Sequence, residues 1–216
     1  MLPSHTITTF TLATINAGHP TGDAELAVGA AALTVKVAGG KVSFDLSAFV
    51  LRPMEYPENL LAWIDHRLGD EEATISVYRP NRVTKLLAAL PGAPFSPAIR
   101  SLTGKGKQPL IRLQFKDQAG FMPFDKACAH AGIACGSTDG MERFAAWLKA
   151  DIDGMVVDAE TDAIALWRMT MNAIERKSAL GVELAAVLRE HLAQWLRDTD
   201  RASTCIHQAD LGQTVN

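Results

Sequence analysis

Residues 25–51, with the sequence ELAVGAAALTVKVAGGKVSFDLSAFVL, decide the fold. Two runs rich in β-branched and apolar residues, 25–37 and 41–51, are separated by Gly39-Gly40, a pair typical of the tight turn in a β-hairpin. Residues 6–15 (TITTFTLATI) have the same composition and precede a turn signal at 16–20, NAGHP. The chain therefore begins with three strands, which we expect to form an antiparallel meander.

Helices and short strands alternate after this meander. We predict helices over 57–68, 82–90, 124–131 and 141–149, strands over 73–78 and 110–115, a loop over 135–140, and two long helices over 158–176 and 181–197. In the first long helix Ile164, Trp167 and Met171 recur at helical spacing. This order predicts an α/β fold with one mixed sheet flanked by helices. No repeat or linker divides the chain, so we predict one domain over 1–216, with a core over about 6–198 and a tail at 199–216.

The composition is that of a globular protein, with 48% hydrophobic and 21% charged residues and a formal net charge of −3. These values argue against disordered and fibrous classes and against a general attraction to DNA or anionic membranes. Three cysteines do not form an even-numbered disulfide framework. We find no signal peptide and no apolar run as long as a membrane span, and we therefore expect a soluble cytoplasmic protein without a membrane partner.

The charges are unevenly distributed. Residues 73–116 contain no Asp or Glu but eight Lys and Arg residues, whereas the rest of the chain carries 13 basic and 24 acidic residues. This asymmetry favours a basic face that could bind single-stranded nucleic acid. The candidate nucleic-acid-binding residues are Arg79, Arg82, Lys85, Lys105 and Lys107. The alternative is that these are solvated loop charges without a partner.

Three segments resemble motifs of one enzyme family. Residues 9–35 (TFTLATINAGHPTGDAELAVGAAALTV) and 41–53 (KVSFDLSAFVLRP) resemble the first three strands of DnaQ-like 3'–5' exonucleases, and residues 156–169 (VVDAETDAIALWRM) resemble the closing motif of that family. The resemblance implies an RNase H-like fold. It also implies two divalent ions, Mg²⁺ or Mn²⁺, held by four carboxylates, with a His or Tyr that activates the attacking water.

Most of the residues that the resemblance requires are absent. The Asp-x-Glu positions of the first strand correspond to Ala13 and Ile15, and no acid is available between residues 73 and 116 for the middle motif. The His position before the last acid is occupied by Val157. Only Asp162 matches a catalytic, metal-binding acid, and Asp158 is a second candidate metal ligand. We therefore expect a degenerate relative that needs no cofactor.

Several interpretations of Asp162 remain open. It could be a first-turn acid favoured by the helix macrodipole, or it could form a relocated metal site with Asp158, Glu160 and Asp45.

Three functions follow from the sequence. The first is an exonuclease-like protein that is catalytically inactive and retains nucleic-acid or protein binding. The second is a pure interaction protein, a subunit or a homodimer, that docks through the helix at 181–197. The third is an active metal-dependent 3'–5' exonuclease with non-standard ligands, for which Mg²⁺ or Mn²⁺ would be the cofactor.

Overall fold

Seven strands and eight α-helices make up the described part of the computed structural model, which comprises residues 5–18, 25–118, 120–136 and 139–213. The strands are β1 (His5–Asn16), β2 (Glu25–Ala38), β3 (Lys41–Val50), β4 (Thr74–Tyr78), β5 (Leu110–Leu113), β6 (Lys116–Asp117) and β7 (Gly120–Phe121). The helices are α1 (Pro57–Arg67), α2 (Pro80–Leu87), α3 (Pro97–Leu102), α4 (Phe124–His130), α5 (Gly140–Leu148), α6 (Ile152–Glu175), α7 (Ala179–Asp198) and α8 (Ala202–Gln213). The predicted turn at 16–20 lies partly outside the described residues.

A mixed five-stranded sheet with the order β3-β2-β1-β4-β5 forms the centre of the protein. The strands β1, β2 and β3 pair antiparallel, as the meander pattern predicts, whereas β4 pairs parallel with β1 and β5 parallel with β4. Gly39 and Gly40 join β2 to β3 with positive φ angles of 57° and 77°, which glycine adopts at little cost. The α/β prediction of one mixed sheet flanked by helices is confirmed.

Apolar clusters cover both faces of this sheet. On one face, Leu33 and Leu46 pack against Trp167 of α6 and Leu188 of α7. On the other face, the side chains of α1, α2 and α3 pack around Phe10 of the central strand β1. Because successive side chains of a strand point to opposite faces, the apolar runs of β1 and β2 supply both clusters.

Helix α6 begins six residues before the predicted start at 158. Ala150 has a positive φ of 57° and separates α5 from α6, and the carboxylate of Asp151 then accepts a hydrogen bond from Gly154 N at 3.2 Å as an N-cap. Asp162 consequently lies well inside the helix. The interpretation of Asp162 as a first-turn acid is therefore wrong, since the macrodipole effect is confined to the terminal turns.

The segment predicted as a tail, 199–216, contains helix α8. Its inward face carries three fully buried polar residues, Ser203, Thr204 and His207. Glu160 of α6 accepts hydrogen bonds from Arg201 Nη1 and Ser203 Oγ, both at 2.7 Å. Helix α8 is therefore attached to α6 largely through polar contacts.

Candidate functional site

A cleft of about 380 Å³ opens at the carboxyl ends of the parallel strands β1 and β4. Its walls come from the end of β1, the β4–α2 turn, the start of α4, the segment 135–136, and helices α5 and α6. The β1–β2 pairing shifts register between Ala13 and Thr14, a bulge in the strand that lines the cleft. Ligands of open α/β sheets commonly bind beyond the carboxyl ends of the strands, so this cleft is the candidate site.

Asp162 lines the cleft, but both of its carboxylate oxygens have partners. Oδ1 accepts the backbone N–H of Gly136 at 2.8 Å, and Oδ2 lies 3.4 Å from Nη2 of Arg143. The residue is only 7% exposed, and this burial raises the pKa of Asp162 from 3.8 to about 6, although Arg143 and the Gly136 N–H act in the opposite direction. Asp162 is therefore a buried, internally paired acid.

Gly136 allows this contact because its backbone lies directly against α6. A Cβ atom at residue 136 would lie 2.6 Å from the carbonyl oxygen of Asp158, closer than real Cβ atoms approach. Asp158 is also the second, more distant partner of Arg143, with 3.9 Å between Oδ2 and Nε. Arg143 is not predictable from the sequence, because no local pattern pairs an arginine of α5 with an acid 19 residues later.

The residues in the cleft do not fit the divalent ions that the resemblance implies. Mg²⁺ requires several converging oxygen ligands, usually carboxylates. The positions expected to supply two of them hold Ile15, which lines the cleft, and Ala13, which packs in the apolar cluster with Ala163 of α6. The one motif acid that is present, Asp162, is paired with Arg143. In the described ranges, no group of three or more His, Cys, Asp or Glu residues could hold a metal ion.

The relocated metal site is not formed either. Residues 158 and 162 share a helix face, but residue 160 points away from them because each helical residue turns by about 100°. Glu160 accordingly contacts Arg201 and Ser203 rather than the cleft, and Asp45 forms an ion pair with Arg67 at 2.7 Å. The four acids therefore do not converge.

The predicted nucleic-acid-binding residues are divided between two ends of the sheet. Arg79 and Arg82 lie at the cleft, directly after β4. Lys105 and Lys107 precede β5 and lie at the opposite end, where Lys107 forms an exposed ion pair with Glu71 at 2.6 Å. Lys85 is exposed on α2. The five residues do not form one basic patch.

The two arginines at the cleft differ in their partners. Arg82 forms an ion pair with Glu25, whose carboxylate also accepts the hydroxyl of Thr14 at 2.8 Å. Arg79 has no carboxylate partner among the described residues, and its guanidinium lies 5.5 Å from the ring centre of Phe121. The backbone of Arg79 is left-handed, with φ 49° and ψ 62°, as it turns from β4 into α2. Arg79 is thus the arginine of the cleft that a ligand could bind without breaking an ion pair.

Aromatic side chains form one wall of the same cleft. Phe124 of α4 lies 5.4 Å from Tyr78, ring centre to ring centre, and the Tyr78 hydroxyl donates to the carbonyl of Met122 at 2.7 Å. Burial raises the pKa of Tyr78, so the phenol stays protonated at neutral pH. The arrangement can bind a ligand that has both an anionic group and a flat apolar group, and the described lining residues include no histidine base.

None of the described helices combines the length and the apolarity that crossing a bilayer requires.

No protein-family model matches the sequence. No curated protein matches it either. A solved structure of an Aquifex aeolicus PPX-GPPA enzyme shows 9% identity and a TM-score of 0.25, with 51% of this chain and 36% of that chain covered. The chain thus spans about a third of that enzyme chain, and a similarity of this size carries no argument about fold or function.

Proposed function

We propose that this chain is a catalytically inactive relative of the DnaQ-like 3'–5' exonucleases, with an RNase H-like fold, that binds single-stranded nucleic acid in its cleft without cleaving it. The order of elements supports the fold assignment, because an antiparallel meander followed by alternating helices and strands is the order of RNase H-like domains. Fold similarity alone would not indicate a function, so the proposal depends on the cleft.

The observation that carries the proposal is the pairing of Asp162 with Arg143 in the cleft that the exonuclease resemblance points to. A two-metal nuclease needs several carboxylates free to bind ions at this place. Of the motif acids only Asp162 is present, and Arg143 and Gly136 hold both of its oxygens. The other described acids that line the cleft, Glu25 and Asp125, lie on β2 and α4, and Glu25 forms an ion pair with Arg82. The positive charge of Arg143 in effect replaces the charge of a metal ion, which supports binding without hydrolysis.

Ligand binding is supported by the groups that remain available. Arg79 can approach a phosphate, and Tyr78 and Phe124 offer apolar surface beside it. Single-stranded nucleic acid presents both kinds of group, since each nucleotide carries a phosphate and a flat base.

The decisive experiment follows the anisotropy and the length of a labelled single-stranded oligonucleotide with Mg²⁺ or Mn²⁺ present. We expect binding that weakens steeply with salt, and no shortening of the oligonucleotide. Arg79→Ala should lower the affinity several-fold, whereas Lys107→Ala, at the opposite end of the sheet, should leave it unchanged. Cleavage that disappears in Asp162→Asn would instead establish an active exonuclease with non-standard ligands.

A protein-interaction function is the second candidate, supported by a specific surface. Leu180, Leu184 and Val187 of α7 are exposed at helical spacing, with exposed fractions of 73%, 42% and 51%. They form an apolar stripe on α7. The sequence predicts that this helix docks to a protein partner or to a second copy of the chain. An oligonucleotide that neither binds nor is cleaved would favour this function over nucleic-acid binding.

A further inference from the structure

The β6–β7 hairpin places an exposed aromatic ring at the edge of the cleft. Phe121 of β7 is 47% exposed, although a phenylalanine gains free energy from burial. The chain continues from Phe121 through Met122 into Pro123 and Phe124, which line the cleft. The ring of Phe121 is therefore an extension of the aromatic wall toward solvent.

Two cations lie over this ring. The guanidinium of Arg79 is 5.5 Å from the ring centre, and Nζ of Lys116 is 4.9 Å from it. Lys116 is the cross-strand partner of Phe121, so the two side chains are on the same face of the hairpin. Neither cation forms an ion pair with any residue that the structure describes. The acid of the hairpin, Asp117, pairs in register with Gly120 and points to the opposite face.

An exposed ring in contact with two cations that form no ion pair with the described residues matches the chemistry of single-stranded nucleic acid. A base can stack on an aromatic ring whatever its sequence, and the flanking phosphates attract the cations. Because both cations lie over the ring, a base stacks there by displacing a cation, which is then able to contact a phosphate.

We propose that Phe121, Arg79 and Lys116 form a base-stacking platform, on which one base stacks against Phe121 while Arg79 and Lys116 contact the adjoining phosphates. This inference rests on the proposed nucleic-acid-binding function and specifies its contact residues. The platform would hold the strand where it enters the cleft beside Arg79.

The test compares three variants by anisotropy with a labelled oligodeoxythymidine. Phe121→Ala should weaken binding by about 5- to 150-fold, the range that loss of one stacked base produces. Phe121→Trp keeps a stacking surface and should bind at least as tightly as the wild type. Phe95→Ala is the matched control, because Phe95 is 86% exposed and the structure gives it no cation–π contact, and its affinity should equal that of the wild type.

An abasic oligonucleotide of the same length separates stacking from phosphate binding. Phe121→Ala and the wild type should bind it with equal affinity, because it offers phosphates but no bases. If Phe121→Ala binds oligodeoxythymidine like the wild type, or loses affinity equally for both oligonucleotides, the platform is refuted while the binding function stands. A wild-type protein that binds neither oligonucleotide would refute both proposals.

Discussion

Asp162 and Arg143 determine the electrostatics of the cleft. Because burial raises the folded-state pKa of Asp162 to about 6, the charged form is disfavoured relative to the unfolded chain. The contribution of this carboxyl to stability is therefore most favourable below about pH 4, and it is lost as the pH rises through about 6.

We predict that a carbon-detected NMR titration places the pKa of Asp162 near 6 and that Arg143→Gln raises it further, since the nearest positive charge is removed. The matched control is Arg197→Gln on α7, where Arg197 donates a hydrogen bond to Gln194, and it should leave the titration unchanged. A pKa that stays the same in Arg143→Gln would show that the ion pair does not form in solution.

The sequence could indicate Asp162 but not its partners. The acid stands in a recognisable motif, whereas Arg143 sits in the amphipathic pattern of α5 like any surface arginine. The charge pattern of residues 73–116 singled out Arg79, which lies at the cleft, yet it grouped Arg79 with Lys105 and Lys107. A count of charges along the chain cannot show that Arg79 lies after β4, at one end of the sheet, whereas Lys105 and Lys107 lie before β5, at the opposite end.

Helix α8 shows why elements with a polar interface escape prediction. Hydrophobic periodicity identifies α6 and α7, because their inward faces carry large apolar side chains. The inward face of α8 instead carries Ser203, Thr204 and His207, which look like solvent-facing residues in the sequence. Their burial is possible because α6 supplies the Glu160 carboxylate to Ser203 and the Thr161 carbonyl to His207, while the Thr204 hydroxyl donates to the carbonyls of Thr199 and Arg201.

The docking of α8 should depend on pH through His207. Its Nδ1 lies 3.2 Å from Nη1 of Arg168 and must accept, so Nε2 carries the proton and donates to the carbonyl of Thr161 at 2.9 Å. Burial, with the nearby charge of Arg168, lowers the pKa of His207 from 6.5 to about 4. The unfolded chain therefore takes up a proton below about pH 6.5 that the folded chain does not, and stability is lost as the pH falls from about 6.5 to about 4.

We predict that His207 contributes up to about 3 kcal/mol to this loss. Urea unfolding gives the unfolding free energies of the wild type and of His207→Gln at neutral and at mildly acidic pH. The change in the difference between the two proteins from one pH to the other measures the contribution of His207. Subtraction removes the opposite effect of Asp162, which is common to both proteins. His191→Gln, on the exposed side of α7, is the control, and a pH dependence that His207→Gln shares fully with the wild type would contradict the prediction.

In the molecule as a whole, the apolar clusters pack against the two faces of the five-stranded sheet. Trp63 stacks on Phe49 on the α1 side, and Trp195 stacks on Phe44 on the α7 side, with the two phenylalanines both on β3. We predict that the chain unfolds as one domain in a single cooperative transition, with equal calorimetric and van't Hoff enthalpies. Fluorescence of variants that keep only Trp63 or only Trp195 should report the same midpoint, and two separate midpoints would indicate two independent units.

The sequence predicts the architecture at this scale better than it predicts the site. The meander, the alternation that follows and the two long helices all leave periodic patterns, and these patterns define a mixed sheet with helices on its faces. The β6–β7 hairpin is missed because its strands have two residues each, too few for any periodicity. The hairpin nevertheless carries Phe121, so the shortest element of the fold supplies a central residue of the proposed binding surface.

At position 79, where the backbone is left-handed, the residue that favours stability differs from the residue that favours ligand binding. A non-glycine residue pays about 1 kcal/mol or more for this conformation, and glycine would relieve that strain. Replacement of Arg79 by glycine would also remove from the cleft the guanidinium that has no carboxylate partner among the described residues. Selection for thermal tolerance alone would thus favour glycine at position 79, and an arginine maintained there would be the mark of selection for a ligand.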